Sequence, residues 1–185
     1  HFAVVYVDKK KYSVAHEYVM PDIAIVDPAL TYSMSSRQTA ICGLDALSQS
    51  MESIWSVNSS SGSMRSASEA IELVLSNLSL AVASPSPSSR EAMSRAANLA
   101  GQSIDITKTT APHALSYMLT VNHSIPHGHA VALTLGSFLE FNSAVSPRDI
   151  NDPRGVGHVH DVIGRICGLM GVGTAVEGRQ ALQHL

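Results

Sequence analysis

The chain has 185 residues, 45% of them hydrophobic and 15% charged, with a formal net charge of −3. That is enough for one domain with a sizeable core. The charge balance offers no broad electrostatic surface for nucleic acid or an anionic membrane, and no apolar run approaches the ~20 residues of a membrane span. Cys42 and Cys167 fit neither a disulfide framework nor a metal knuckle, so a reduced, cytoplasmic setting is expected. There is no initiator methionine and no legible signal peptide, and the first residues already read as strand, as a fragment would.

Residues Phe2 to Val7 are β-branched and aromatic, and a polar turn, Asp8-Lys9-Lys10-Lys11, follows. Tyr12 to Val26 alternates or runs apolar around Pro21, so two or three strands of a small sheet are expected before Asp27-Pro28. From Ser36 the period becomes helical: Thr39, Ile41, Leu44, Leu47 and Met51 predict a helix over Arg37 to Trp55. A serine-rich linker, Ser56 to Ser63, precedes a second helix at about Ser66 to Val82. SPSPSSRE reads as a loop capping a third helix, Arg90 to Ile106. Helices around Pro112 to Leu119 and Gly128 to Asn142 come next, then a Gly-rich, weakly patterned tail with one helix at Val159 to Leu169.

The chemistry concentrates in a few positions. Asp45 and Gln49 stand at i and i+4, which puts them on one helical face. His113 and His127 lie fourteen residues apart, each beside a proline that stiffens the backbone. One carboxylate, one carboxamide oxygen and two imidazoles can converge on a single divalent cation; taken singly, Asp45 reads equally as a solvated helix residue and His113 as a core histidine. Glu52 shares the face of Asp45 and Gln49 and stands behind the ligands, whereas Cys42 and Trp55 read as core. His123 and His129 line a substrate pocket or the surface. Lys108, Thr109 and Thr110 suit an anionic group such as a phosphonate, or simply solvent.

Several blocks occur in a telling order: PDIAIVDPAL, GLDALSQSMES, AANLAGQSIDITKTTAPHALSY, then IPHGHAVALTL with FLEFN behind it. Together they resemble the iron-containing (group III) alcohol dehydrogenases over roughly two thirds of the chain, and TKTTAPHALSY with PHGHAVALTL looks like the phosphonoacetaldehyde-reductase-like branch. The resemblance implies a mainly α, dehydroquinate synthase-like helical metal-binding domain with a short N-terminal β segment. Residues 1–30 would be strands of an N-terminal α/β cofactor domain, and 31–185 the helical domain, truncated at its C-terminus. It implies a metal-dependent, NAD(P)-linked alcohol dehydrogenase or aldehyde reductase, with Fe²⁺ or Zn²⁺ held by Asp45, Gln49, His113 and His127. Tyr117 would lie on the proton path.

A small-molecule alcohol or aldehyde would be the substrate and a homo-oligomer the assembly, without nucleic-acid or membrane partners. NAD or NADP would sit mainly on a domain whose Gly-Gly-Gly-Ser turn does not occur here, so the chain alone is expected to be inactive. Gln49 and Tyr117 depart from the resemblance, since relatives mostly carry histidine at the first and many do at the second. A dehydroquinate synthase-type lyase or cyclase is the competing reading, against which the Asp-Ala-Leu and PHGHAV blocks argue. A non-catalytic helical module that has lost its metal is another, consistent with Gln49.

Overall fold

The computed structural model describes residues 2–8 and 10–185. Strands β1 (Phe2–Val7) and β2 (Lys10–Ala15) pair antiparallel, with Phe2 opposite Ala15 and Val7 opposite Lys10. Asp8 turns the corner at φ 49°, a left-handed conformation that a short polar side chain tolerates. Of the two or three strands expected, two form, and no third follows among the described residues. Ile23 to Val26 is irregular and Ile23 and Ile25 are exposed, because a β-branched run becomes a strand only beside an edge it can pair with. Among the described residues the first buried one is Thr39.

The remainder is helical, as expected. Its helices are α1 (Ser36–Trp55), α2 (Ser61–Ala83), α3 (Pro87–Thr107), α4 (Ala111–His123), α5 (His127–Ser143), α6 (Val156–Leu169) and α7 (Ala175–Leu182). Serine caps explain several starts. Ser60 and Ser63 form a reciprocal capping box, so α2 begins five residues before its apolar period and absorbs part of the supposed linker. Ser86 and Ser89 do the same for α3, with Pro87 pre-set in its first turn. The short α7 escaped the sequence reading, although Thr174 and Glu177 form a third such box.

Helix α1 is the spine, packed against α2, α3 and α5. Its Leu47, Met51 and Ile54 are fully buried in one core with Ile71, Val74, Leu135, Leu139 and Ile166. Serines are buried on the same helix, and a buried hydroxyl without a partner costs ~1–3 kcal/mol. Ser48 and Ser50 therefore donate to the Leu44 and Ala46 carbonyls at 2.7 Å, and Ser53 pairs with Thr107 of α3. Buried Arg90 pins the entry to α1 by donating to the Met34 carbonyl and the Thr39 hydroxyl. Cys42 is exposed rather than core, its sulfur accepting from the Gln38 amide. That face of α1 is uncovered near its start, where apolar periodicity alone cannot assign burial.

Helix α2 also corrects the expectation about apolar runs. Its 23 residues have a stretch of mean hydropathy 1.2, long and apolar enough to cross a membrane by composition. It packs instead on α1 and α3 and buries Ala67, Ala70, Ile71, Val74 and Leu78.

The loop into α6 is latched to the end of α1. Arg154 donates to the Ser56 carbonyl at 2.8 Å, to Ser59 and to both oxygens of buried Asp152. The Arg154 hydrogen bonds hold the Asp152 carboxyl below its ordinary pKa, so its stabilisation is present at neutral pH and lost as pH falls below about 4. Asp152→Asn should cost ~1–3 kcal/mol at pH 7. Urea unfolding at pH 7 and pH 3 should show the gap between wild type and variant narrowing in acid.

Candidate metal centre

Asp45 sits midway along α1, with Gln49 one turn and Glu52 two turns further on. Glu52 has no exposed surface. It accepts from the Thr110 backbone N–H, from the Thr110 hydroxyl at 2.8 Å and from Nδ1 of His113. The N-terminus of α4 is thus capped by a carboxylate from α1 instead of by its own side chain, which suits the positive end of the helix dipole. Trp55 Nε1 donates to the same Thr110 hydroxyl at 2.9 Å. A left-handed Lys108 (φ 62°) reverses the chain between α3 and α4 and brings Thr110 there.

His113 lies in the first turn of α4. With Nδ1 on Glu52, its Nε2 faces Asp45 Oδ1 at 3.3 Å. Helix α4 stops at a left-handed Ser124, and Pro126 leads directly into His127, the first residue of α5. Ser116 Oγ donates to the His113 carbonyl at 2.7 Å, so it accepts Nδ1–H of His127 at 3.2 Å. That turns His127 Nε2 towards Asp45 Oδ1, 3.8 Å away. The two imidazoles meet edge to face at 5.3 Å between centroids, and Tyr117 lies parallel to the His127 ring at 5.9 Å.

One ligand atom from each of Asp45, His113 and His127 lies within 4.8 Å of the others. Asp45 Oδ1 and His113 Nε2 are buried and face each other without hydrogen-bond geometry. Buried polar atoms are almost always satisfied, and these two are matched only as an ion pair, which leaves both open to a cation as partner. A carboxylate oxygen with two imidazole nitrogens suits Zn²⁺ or Fe²⁺, and the residues present fit such an ion. Burial acts to lower the His113 pKa, but the Asp45 and Glu52 carboxylates outweigh it and raise it to about 9. A proton on His113 supplies positive charge where a cation would.

Gln49 reaches this cluster through its amide nitrogen, which donates to Asp45 Oδ2 at 2.9 Å. Asp45 Oδ2 is therefore taken by Gln49, while Oδ1 is left facing the two histidines. His123 and His129 are exposed and outside the cluster; His129 lines a different groove with Leu44, Arg179 and Leu182. The Thr110 hydroxyl is engaged by Trp55 and Glu52, and the Lys108 ammonium donates to the Asp105 carbonyl. Ser116 is the functional neighbour that the sequence reading missed; its place one turn after His113 was the available signal.

The profile of the Fe-containing alcohol dehydrogenase family, C-terminal, matches residues 39–184. The chain belongs to the iron-containing alcohol dehydrogenase family. It is 36% identical over 164 residues to a phosphonoacetaldehyde reductase from Streptomyces viridochromogenes, covering 88% of this chain and 42% of that protein. The crystal structure of a sulfoacetaldehyde reductase from Bifidobacterium kashiwanohense with NAD⁺ superposes with a TM-score of 0.75 at 36% identity, over 92% of this chain and 48% of that one. An iron-containing alcohol dehydrogenase from Thermococcus thioreducens gives a TM-score of 0.86 at 25% identity, over 99% and 45%. The chain spans less than half the length of these relatives, and its helical body has their dehydroquinate synthase-like fold.

In this member of the family, position 49 places a carboxamide beside the cluster. Imidazole binds transition metals more strongly than an amide does. Gln49→His is expected to tighten Zn²⁺ or Fe²⁺ binding about tenfold or more, read by calorimetric titration; equal affinities would mean that position 49 does not touch the ion. Glu52→Ala strips His113 and Thr110 of their acceptor. It should lower metal affinity about 10- to 100-fold and destabilise the fold by ~3–5 kcal/mol, read by titration and urea unfolding.

Proposed function

We propose that this chain is the metal-binding part of an NAD(P)-linked alcohol dehydrogenase acting as an aldehyde reductase. The observation that carries the reading is the convergence of Asp45, His113 and His127, with two of their buried atoms orphaned. These three residues hold Fe²⁺ or Zn²⁺, and Gln49 steadies Asp45 at the edge of the site. Residues 31–185 act as the helical metal-binding domain, and the strands within 1–30 belong with an α/β cofactor domain, in keeping with relatives more than twice as long.

When bound, the cation supplies Lewis acidity at a carbonyl or alcohol oxygen, and the nicotinamide supplies or accepts hydride. The chain's own residues prepare that chemistry. Glu52 and Ser116 fix the proton at Nδ1 of each histidine, leaving each Nε2 turned to the centre. Tyr117, stacked on His127, stands beside the centre as the proton-relay group. His113, Glu52 and Ser116 are buried behind the site, while Asp45 and His127 keep part of their surface open at its mouth.

A short aldehyde bearing a strong anion is the favoured substrate class, because two similar proteins are reductases of phosphonoacetaldehyde and sulfoacetaldehyde. The enzyme works in the cytoplasm as a homo-oligomer. In the full-length protein, reduction of phosphonoacetaldehyde with NADH or NADPH should be lost on chelation, return with Fe²⁺ or Zn²⁺, and fall by at least ~100-fold in His113→Ala. Turnover unaffected by chelation and by His113→Ala would overturn the reading.

A further inference from the structure

Gly128 follows His127 in the first turn of α5. A Cβ built on it would collide with the Ile41 carbonyl oxygen and lie 2.9 Å from Asp45 Cβ and 3.1 Å from the Ile41 carbonyl carbon. Most of that obstruction is the backbone of α1, which cannot rotate aside. Gly128 has no positive φ, so its own backbone would accept alanine. A helical glycine also costs about 0.5–1 kcal/mol relative to alanine. Only the approach of α1 accounts for the missing side chain.

The position of the contact matters. Asp45 is among the nearest obstacles to a side chain at 128, and Ile41 lies one turn before it on the same helix. A close approach of α5 to α1 is therefore placed beside the two side chains whose Nε2 and Oδ1 stand 3.8 Å apart. We infer that Gly128 is a positioning residue of the metal centre: its absent side chain sets the separation of His127 from Asp45. This rests on the metal-centre reading above. A methyl group at 128 would push α5 back by about an ångström to reach ordinary contact distance. Metal–ligand distances tolerate only about 0.2 Å, so the loss would fall on the ion more than on the helix.

Zinc titration of the full chain by calorimetry, with circular dichroism to confirm folding, tests this. Gly178→Ala is the control, because its Cβ would meet Leu139 Cδ2 at 2.8 Å in the α5–α7 contact, away from the ligands. Gly128→Ala should lower Zn²⁺ affinity about 10- to 100-fold, while Gly178→Ala keeps the wild-type affinity. Asp45→Glu, one methylene longer, should weaken binding in the wild type and strengthen it in the Gly128→Ala background.

Wild-type affinity in Gly128→Ala would overturn the inference. So would an equal loss in Gly178→Ala, an absence of recovery with Asp45→Glu, or failure of Gly128→Ala to fold where Gly178→Ala folds. A wild-type chain that binds no zinc would overturn the metal-centre reading itself, which separates the two failures.

Discussion

A carboxylate wholly withdrawn from solvent, Glu52, ties the molecule together. Burying such a charge costs several kcal/mol unless it is paired and hydrogen-bonded. Glu52 meets that condition with donors from two places in the chain, the Thr110 cap and His113. The consequence reaches beyond the pair. The end of α3, the left-handed turn at Lys108 and the start of α4 can sit against α1 only in the arrangement that satisfies this group. His113 is oriented as part of the same solution, and Ser116, one turn on, then orients His127.

The electrostatics of the centre follow from this frame. Both histidines stand at helix N-termini, which carry about half a positive charge each and oppose a cation. Asp45 and Glu52 bring two formal negative charges to the same place and reverse that balance. The His113 imidazolium shows the outcome: burial works against its charge, yet its pKa is raised to about 9. The centre attracts positive charge despite its location.

Much of this was legible in the sequence. The i, i+4 and i+7 spacing put Asp45, Gln49 and Glu52 on one face of α1, and the prolines beside His113 and His127 marked both helix starts. Other features were not, for reasons that differ. Ile23 to Val26 has strand composition but no neighbour, and composition is silent about neighbours. The start of α2 was hidden because serine caps helices and fills linkers alike. Gln49's bond to Asp45 depends on which end of the amide points inward, and Ser116 holds His127 across a turn that spacing alone does not close. Cys42 shows that an apolar period locates a helix face without saying what covers it.

Asp45 comes from the middle of one helix and, much further along the chain, His113 and His127 come from the beginnings of two others. A divalent ion shared among them would also tie these helices together. Held by the folded chain and not by the unfolded one, it would stabilise the helical body by its own binding free energy. Metal occupancy and the cooperativity of the helical body would become a single property. Loosening α4 or α5 would then release the ion, and filling the site would make α1, α4 and α5 unfold as one unit.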